Sequence, residues 1–90
     1  MEDLMGKRVI VRGSDGWAYE GTLEGSVPRG ITAAFRLTGP TRFINWEDHT
    51  TDPVSVEWVD VPAPVYVPEH LVSWIHESHL PAAPKAKKKP

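Results

Sequence analysis

The sequence contains no cysteine, so neither a disulfide framework nor a thiolate metal site can stabilise the fold. It also lacks any uninterrupted apolar run close to the ~18 residues that a membrane-spanning helix needs. The N-terminus is acidic and has no long apolar stretch, which is not the pattern of a signal peptide. From these absences we expect a soluble, cytoplasmic protein that uses no membrane, metal or cofactor.

The length of 90 residues corresponds to one small domain. A chain this short buries a smaller fraction of its surface than a long one, so tight core packing or a partner subunit must supply stability. The net charge of −2 conceals an asymmetry, because residues 1–80 carry six Lys or Arg and all twelve Asp or Glu. The remaining basic residues are Lys85, Lys87, Lys88 and Lys89. An acidic domain is therefore followed by a basic tail.

Short β-branched and aromatic segments, separated by turn signals, begin in the first quarter of the chain. Residues 7–13 and 17–24 are the first two predicted strands. Between them, Asp15-Gly16 favours a tight hairpin, because such a turn requires a positive φ. Large apolar residues alternate with polar ones in the second strand, which is the period of a half-buried strand. Gly21 within it predicts a sharp bend or a close backbone approach.

The rest of the chain continues the same pattern of short strands. Glycine and proline predict a loop at residues 25–30, and residues 31–37 form the third predicted strand. Residues 43–46 either continue that strand past a bend or form a separate one. Further extended segments and one helical turn are expected at residues 54–59, 65–67, 71–75 and 76–80. The sequence thus predicts an all-β domain over residues 1–80, a small, strongly bent five-stranded antiparallel barrel, with a disordered tail over residues 81–90.

Two segments resemble the sequence motifs of the Sm and Sm-like (Lsm) proteins. Residues 4–12 and 15–25 resemble the first motif, in which a β-branched strand and a glycine-bearing turn precede an aromatic, a glycine and a leucine at every second position. Those three residues are here Tyr19, Gly21 and Leu23. Residues 65–75 resemble the second motif, in which two short strands flank a tight turn. The resemblance covers about half of the chain and implies a bent barrel of SH3-like architecture.

The resemblance also implies an assembly. In that family the last two strands of neighbouring subunits pair with each other and close a ring, which leaves no free sheet edge. The expected partner of this chain is therefore a further copy of itself, in a cyclic homo-oligomer. The residues of the implied subunit interface are Val65, Tyr66, Val67, Leu71, Val72, Ser73, Trp74 and Ile75.

The chain departs from the family pattern at the RNA-binding positions. The family carries an Asp and an Asn that organise a base pocket, and by spacing these positions are Val27 and Ile31. The Arg-Gly of the second motif is replaced by Pro68-Glu69, and a carboxylate beside a phosphate path is unfavourable. The N-terminal helix of the family is nearly missing before Gly6. We therefore expect the fold to carry over without the RNA-chaperone activity.

Tryptophans and arginines are the candidate contact residues. Trp74, flanked by aliphatic residues, is expected in the core, whereas Trp17 and Trp46 lie beside turns and are expected to be more exposed. Exposed aromatic side chains anchor protein interfaces or stack on bases, and the acidic domain favours a protein partner. Arg29 and Arg42 are expected in loops, where they either contact a partner or remain solvated.

No catalytic motif stands out in the sequence. His76 and His79 would share one face of a helical turn, but their spacing matches no compact zinc motif. Serine, histidine and acidic residues do not form a nucleophile motif, and the adjacent Glu47 and Asp48 lie in a polar turn where solvent keeps both ionised. We expect no enzymatic activity, no catalytic residue and no metal.

Two interpretations from different classes therefore stay open. The first is a non-enzymatic Sm-like oligomer that acts as an interaction or assembly protein, with weak nucleic-acid contact through the tail lysines. The second is a monomeric SH3-like adaptor that binds a single protein partner, for example a small viral or mobile-element protein acting on a host factor. The mass of the protein in solution distinguishes the two.

Overall fold

A computed structural model describes residues 2–45 and 56–81. These residues form one antiparallel sheet of six strands, so the all-β prediction is confirmed. The strands are β1 (Arg8–Gly13), β2 (Trp17–Arg29), β3 (Thr32–Asn45), β4 (Val59–Val61), β5 (Val65–Pro68) and β6 (Val72–Glu77). Two short 3₁₀ turns, Glu2–Leu4 and Glu69–Leu71, precede β1 and connect β5 to β6. The described part of the chain contains no helix long and apolar enough to cross a bilayer.

The strand order shows that the sheet is bent but open. The main path runs β4-β3-β2-β1-β6, and β5 pairs with the first half of β3. One edge of β3 therefore adjoins β2, while the other adjoins β5 and then β4. Within the described residues, β5 and β6 each have a single neighbour, so the sheet does not close. The sheet has six strands where five were expected, because the short strand β4 is an additional one.

The two hairpins that form the centre of the sheet have tight turns. Gly16 has a φ of 98°, which is the left-handed conformation that the Asp-Gly signal predicted. β2 then continues to Arg29, so the loop predicted for residues 25–30 is wrong. Pro28 is tolerated in this strand because β3 is the only described strand beside that part of β2. β3 extends without a break to Asn45, which shows that residues 43–45 continue the third strand.

Gly21 is the position where β2 bends over β3. A Cβ at Gly21 would lie 2.9 Å from both Leu37 Cβ and Thr41 Cγ2, closer than real side chains approach. The β2–β3 register shifts at this point, between Glu20 and Thr22. The close backbone approach predicted from the sequence is confirmed, and only glycine fits it without displacement of β3.

Side chains are buried on both faces of the sheet. The inner face, defined here as the face of Val9 and Val11, holds the main core. The buried members of this core are Val9, Val11, Leu23, Phe35, Leu37 and Val67. The outer face carries a second, smaller cluster in which Ile10 and Ala18 are covered by Ile44, Trp58 and Leu80. β1 is therefore buried on both faces, because the chain after β6 returns across the outer face.

The second half of the chain departs most from the sequence prediction. Residues 56–58 are not a strand, and the short strand β4 begins at Val59 instead; Val54 and Ser55 lie outside the described residues. The predicted helical turn at residues 76–80 is absent, because His76 and Glu77 belong to β6. Trp74 is 54% exposed rather than part of the core. Alternation explains this, since Ile75 takes the inner face and the preceding residue must point outward.

Candidate functional site

An aromatic cleft opens on the inner side of the bent sheet. Its volume is about 330 Å³. The residues that line it are Trp17, Tyr19, Phe43, Tyr66, Val67, Pro68 and Leu71. One wall comes from β2 and β3, and the other from β5 and the 3₁₀ turn that follows it. We call this feature the aromatic cleft.

The first wall is a row of three aromatic rings on neighbouring strands. Tyr19 and Phe43 are directly opposite each other in the β2–β3 register, with ring centroids 4.9 Å apart. Trp17 meets Tyr19 edge to face, with centroids 5.8 Å apart. The indole also covers Gly13, where a Cβ would overlap the ring. Because all three rings are held by neighbours, this wall is already formed before any ligand binds.

The second wall is the end of β5 with its turn. Leu71 lies on this wall and is 48% exposed. The Ser26 hydroxyl donates a hydrogen bond to the Glu69 carboxylate, which ties the turn to β2. The Arg29 guanidinium lies 4.3 Å from the centroid of the Tyr66 ring, and Arg36 lies 5.9 Å from it. The turn therefore presents apolar surface to the cleft, while one end of the cleft is bordered by cations.

The predicted interface strands present free edges. In the described residues, β5 pairs only with β3 and β6 pairs only with β1. Ser73 and Trp74 are exposed on β6, and the Arg12 guanidinium lies 5.2 Å from the centroid of the Trp74 ring. Val67, by contrast, is part of the core. The structure thus places the predicted interface residues at two sheet edges. Backbone N–H and C=O groups are free to pair there, although some of the side chains, such as that of Val67, are buried in the core.

A buried ion network lies on the outer face. Glu20 is 1% exposed, and its Oε1 accepts hydrogen bonds from Arg42 Nε at 2.7 Å and Arg8 Nη2 at 3.0 Å. Its Oε2 accepts a hydrogen bond from Ser78 Oγ at 2.7 Å. Arg42 Nη2 then donates to the carbonyl of Pro81 at 3.0 Å. This outer-face network fixes the chain after β6 against β2 and β3.

The outer-face network corrects the sequence prediction for Arg42. The residue lies in β3 rather than in a loop, is 9% exposed, and has its guanidinium engaged by Glu20 and Pro81. It is therefore a structural residue and not an exposed contact for a partner or a phosphate. The sequence did not identify Glu20 as a buried residue. Its position in the alternation of β2 indicated a solvent-facing carboxylate, and no nearby residue indicates that the segment after β6 covers it.

His76 lies partly buried on β6, and its surroundings shift its pKa. Burial lowers the pKa of His76 below its usual range, and the charges of Arg12 and His79 act in the same direction, against a hydrogen bond to the backbone of Glu77. Its Nε2 is buried and has no hydrogen-bond partner among the described residues. β6 places His76 and His79 on a strand and its extension, not on one helical face. No group of three potential metal ligands occurs in residues 2–45 and 56–81.

The remaining candidates are divided between the cleft and the part of the chain that is not described. Trp17 lines the cleft, and Arg29 stands beside it at the exposed end of β2. Trp46 lies outside the described residues, as do Lys85, Lys87, Lys88 and Lys89. Comparison with known proteins finds neither a family model nor a curated protein that matches this chain.

Proposed function

We propose that this chain is a non-enzymatic interaction protein that assembles with copies of itself into an Sm-like ring. The observation that carries the proposal is that β5 and β6 each have one unpaired edge within the described residues. Unpaired strand edges expose rows of backbone N–H and C=O groups, which readily pair with another chain. Pairing of β5 in one copy with β6 in the next uses a different surface on each subunit, so it closes into a ring when the rotation permits.

The side chains around these edges support the same proposal. Trp74 on β6 and Leu71 just before it are large apolar residues that remain exposed in the single chain. Contact with a neighbouring subunit would remove part of this apolar surface from water, which contributes about 25 cal/mol per Å² buried. The small size of the domain favours such a contact, because a 90-residue chain has little core of its own.

The decisive measurement is the mass in solution, by size-exclusion chromatography with light scattering at two salt concentrations. We expect a discrete species of about five to seven copies of the 10.0 kDa chain. Ser73→Lys introduces a charge at the exposed β6 edge and should yield monomers that remain folded. Ile31→Lys is the matched control, because Ile31 is fully exposed in the β2–β3 turn. A monomeric wild-type protein at both salt concentrations would exclude the ring.

The second candidate function is a monomeric SH3-like adaptor that binds one protein partner through the aromatic cleft. The specific observation in its favour is the set of aromatic rings that stays open to solvent in the cleft. A small viral or mobile-element protein acting on a host factor is one example of such an adaptor. Leu71→Gln removes an exposed contact from the cleft wall, so it should abolish partner binding and leave the protein folded. Because Leu71 also belongs to the proposed ring interface, the mass in solution is measured on the same variant.

The proposed Sm-like ring also includes weak nucleic-acid contact through the lysine-rich tail. Lys85, Lys87, Lys88 and Lys89 give the tail a positive charge that the acidic domain does not share. Binding through such a tail weakens steeply with salt, because it depends on the release of counterions. Truncation after Pro81 should remove salt-dependent binding of a uridine-rich oligonucleotide in a filter assay. Tight binding by the truncated chain would instead indicate a site on the sheet.

A further inference from the structure

The aromatic cleft has the chemistry of a site for an extended proline-containing segment. Proline-rich chains adopt the polyproline II conformation, which has no internal hydrogen bonds and loses little entropy when it binds. Such segments bind grooves lined with aromatic side chains, on which the flat proline rings pack. Trp17, Tyr19 and Phe43 form one wall of this kind, and Pro68 and Leu71 complete an apolar second wall.

The chain itself carries a segment that fits this chemistry. Pro81 and Pro84 are separated by two alanines, so the spacing between the prolines is three residues. Polyproline II has three residues per turn and a rise of about 3.1 Å per residue. Two prolines three residues apart therefore lie on one face of such a helix, roughly 9 Å apart, and the intervening alanines are small enough for close approach.

Charge complementarity favours this segment over an uncharged one. Four lysines lie within the six residues that follow Pro84. Two acidic residues lie near the cleft without lining it: Asp15 is exposed in the turn just before Trp17, and Glu69, whose carboxylate accepts a hydrogen bond from Ser26, lies on the 3₁₀ turn. The body of the chain as a whole is acidic, since residues 1–80 hold twelve Asp or Glu against six Lys or Arg. Arg29 and Arg36 at the Tyr66 end of the cleft oppose lysines there, so the attraction acts between the basic tail and the acidic domain as a whole.

The position of Pro81 prevents the proline pair from entering the cleft of its own chain. The Pro81 carbonyl accepts a hydrogen bond from Arg42 on the outer face, whereas the cleft lies on the inner side. Three residues span at most about 10 Å, which is too short to pass around the sheet and also follow the cleft. We propose that the aromatic cleft binds a polyproline II segment, and that its occupant is residues 81–84 of a second copy of this chain.

One wall of the cleft shares Tyr66, Val67 and Leu71 with the strands of the proposed ring. The opposite wall, formed by Trp17, Tyr19 and Phe43, lies on β2 and β3, so peptide binding there can be followed apart from the ring. The probe is a synthetic peptide with the sequence of residues 81–90, added to dilute, isotope-labelled full-length protein and followed by NMR. We expect saturable shifts at the Trp17 indole N–H and the amides of Phe43 and Leu71. A peptide with alanine in place of Pro81 and Pro84 keeps the charge, so it should bind at least about tenfold more weakly.

Variants of the protein locate the site and control for unfolding. Leu71→Gln should weaken peptide binding by roughly tenfold, because it removes apolar contact from one wall. Ile31→Gln makes the same kind of change at an exposed residue away from the cleft and should leave affinity unchanged. Equal binding of the alanine peptide, or equal affinity of the Leu71→Gln variant, would overturn the proposal that the cleft recognises the proline pair.

The identity of the second copy is tested with the full chain alone. In a mixture of labelled and unlabelled protein, we expect isotope-filtered contacts between Pro84 of one copy and Trp17 of another, with a Trp17 indole shift that depends on concentration. A shift independent of concentration, together with contacts only within one copy, would overturn the assignment to a second copy. A protein that is monomeric in solution but still binds the peptide would exclude the ring, and it would support the proposal that the aromatic cleft binds the proline pair.

Discussion

The two faces of the sheet are buried by different means. On the inner face, aliphatic side chains from four strands pack together, and the sheet wraps around them but leaves the aromatic cleft open. On the outer face, a carboxylate and two guanidiniums hold the returning chain, and only a few apolar residues are covered. The inner face is therefore stabilised mainly by the hydrophobic effect, and the outer face by directional polar contacts.

The two kinds of burial leave different surfaces of the domain accessible. Non-directional apolar packing does not require every side of the core to be covered. The aromatic residues at the open side of the sheet therefore remain accessible. A buried ion network, in contrast, requires every partner to be in place, because an unpaired buried charge is costly. The polar groups of the outer-face network are thus occupied by contacts within the chain, whereas the open side of the inner face and the free strand edges are accessible to solvent.

The largest expected effect comes from breaking the outer-face network at its centre. Glu20→Ala leaves Arg42 buried without its counter-charge and removes the acceptor of the Ser78 hydroxyl, so we expect the free energy of unfolding to fall by about 3–5 kcal/mol. Urea unfolding measures the change. Glu24→Ala is the matched control on the same strand, since Glu24 is exposed and its loss should cost less than about 0.5 kcal/mol. Equal effects of the two variants would contradict the difference between the faces.

A smaller effect is expected from the inner face, at the bend of β2. Gly21→Ala places a methyl group against Leu37 and Thr41, and overpacking of this kind costs about 1–3 kcal/mol. Thr41→Ser removes the methyl group that the new Cβ would meet and keeps the hydroxyl that donates to the Val61 carbonyl. The double variant should therefore recover part of the loss in thermal unfolding. Strictly additive effects of the two substitutions would show that the close approach at Gly21 is not the cause.

The smallest expected effect is a dependence of stability on pH through His76, which lies on the outer face. Burial lowers the pKa of His76 in the folded protein, so the unfolded state binds more protons below the ordinary histidine value of about 6.5. The contribution of His76 to stability is present above that value and is lost as the pH falls below it. His76→Gln should reduce the difference in urea midpoint between neutral and mildly acidic pH. His70→Gln, at an exposed histidine, is the control, and an identical reduction there would exclude this role for His76.

Local patterns predicted the first half of the fold well. The alternation in β2, the Asp15-Gly16 turn and the close approach at Gly21 each depend on residues near in sequence, and all three are confirmed. The loop predicted at residues 25–30 is wrong because neither Gly25 nor Pro28 interrupts β2, which continues to Arg29. A proline is harmless in that part of β2, where only one described strand lies alongside.

The candidate site was predicted less completely, for physical reasons. Trp17 and Arg29 were identified as contact residues, and the structure places both at the cleft. Tyr19 and Phe43 were not, because aromatic residues on the inner face of a strand indicate core unless the extent of the opposite wall is known. The outer-face network depends on contacts such as that of Ser78 with Glu20, which are 58 residues apart and have no local signature.

The bond between Arg42 and the Pro81 carbonyl holds residue 81 on the side of the sheet opposite the cleft. A fluorophore or surface linker attached at position 81 would therefore project away from the aromatic rings. Immobilisation through such a linker would present the cleft to the solution. Attachment through Ile31, at the tip of the β2–β3 hairpin, offers a second orientation against which such a surface can be compared.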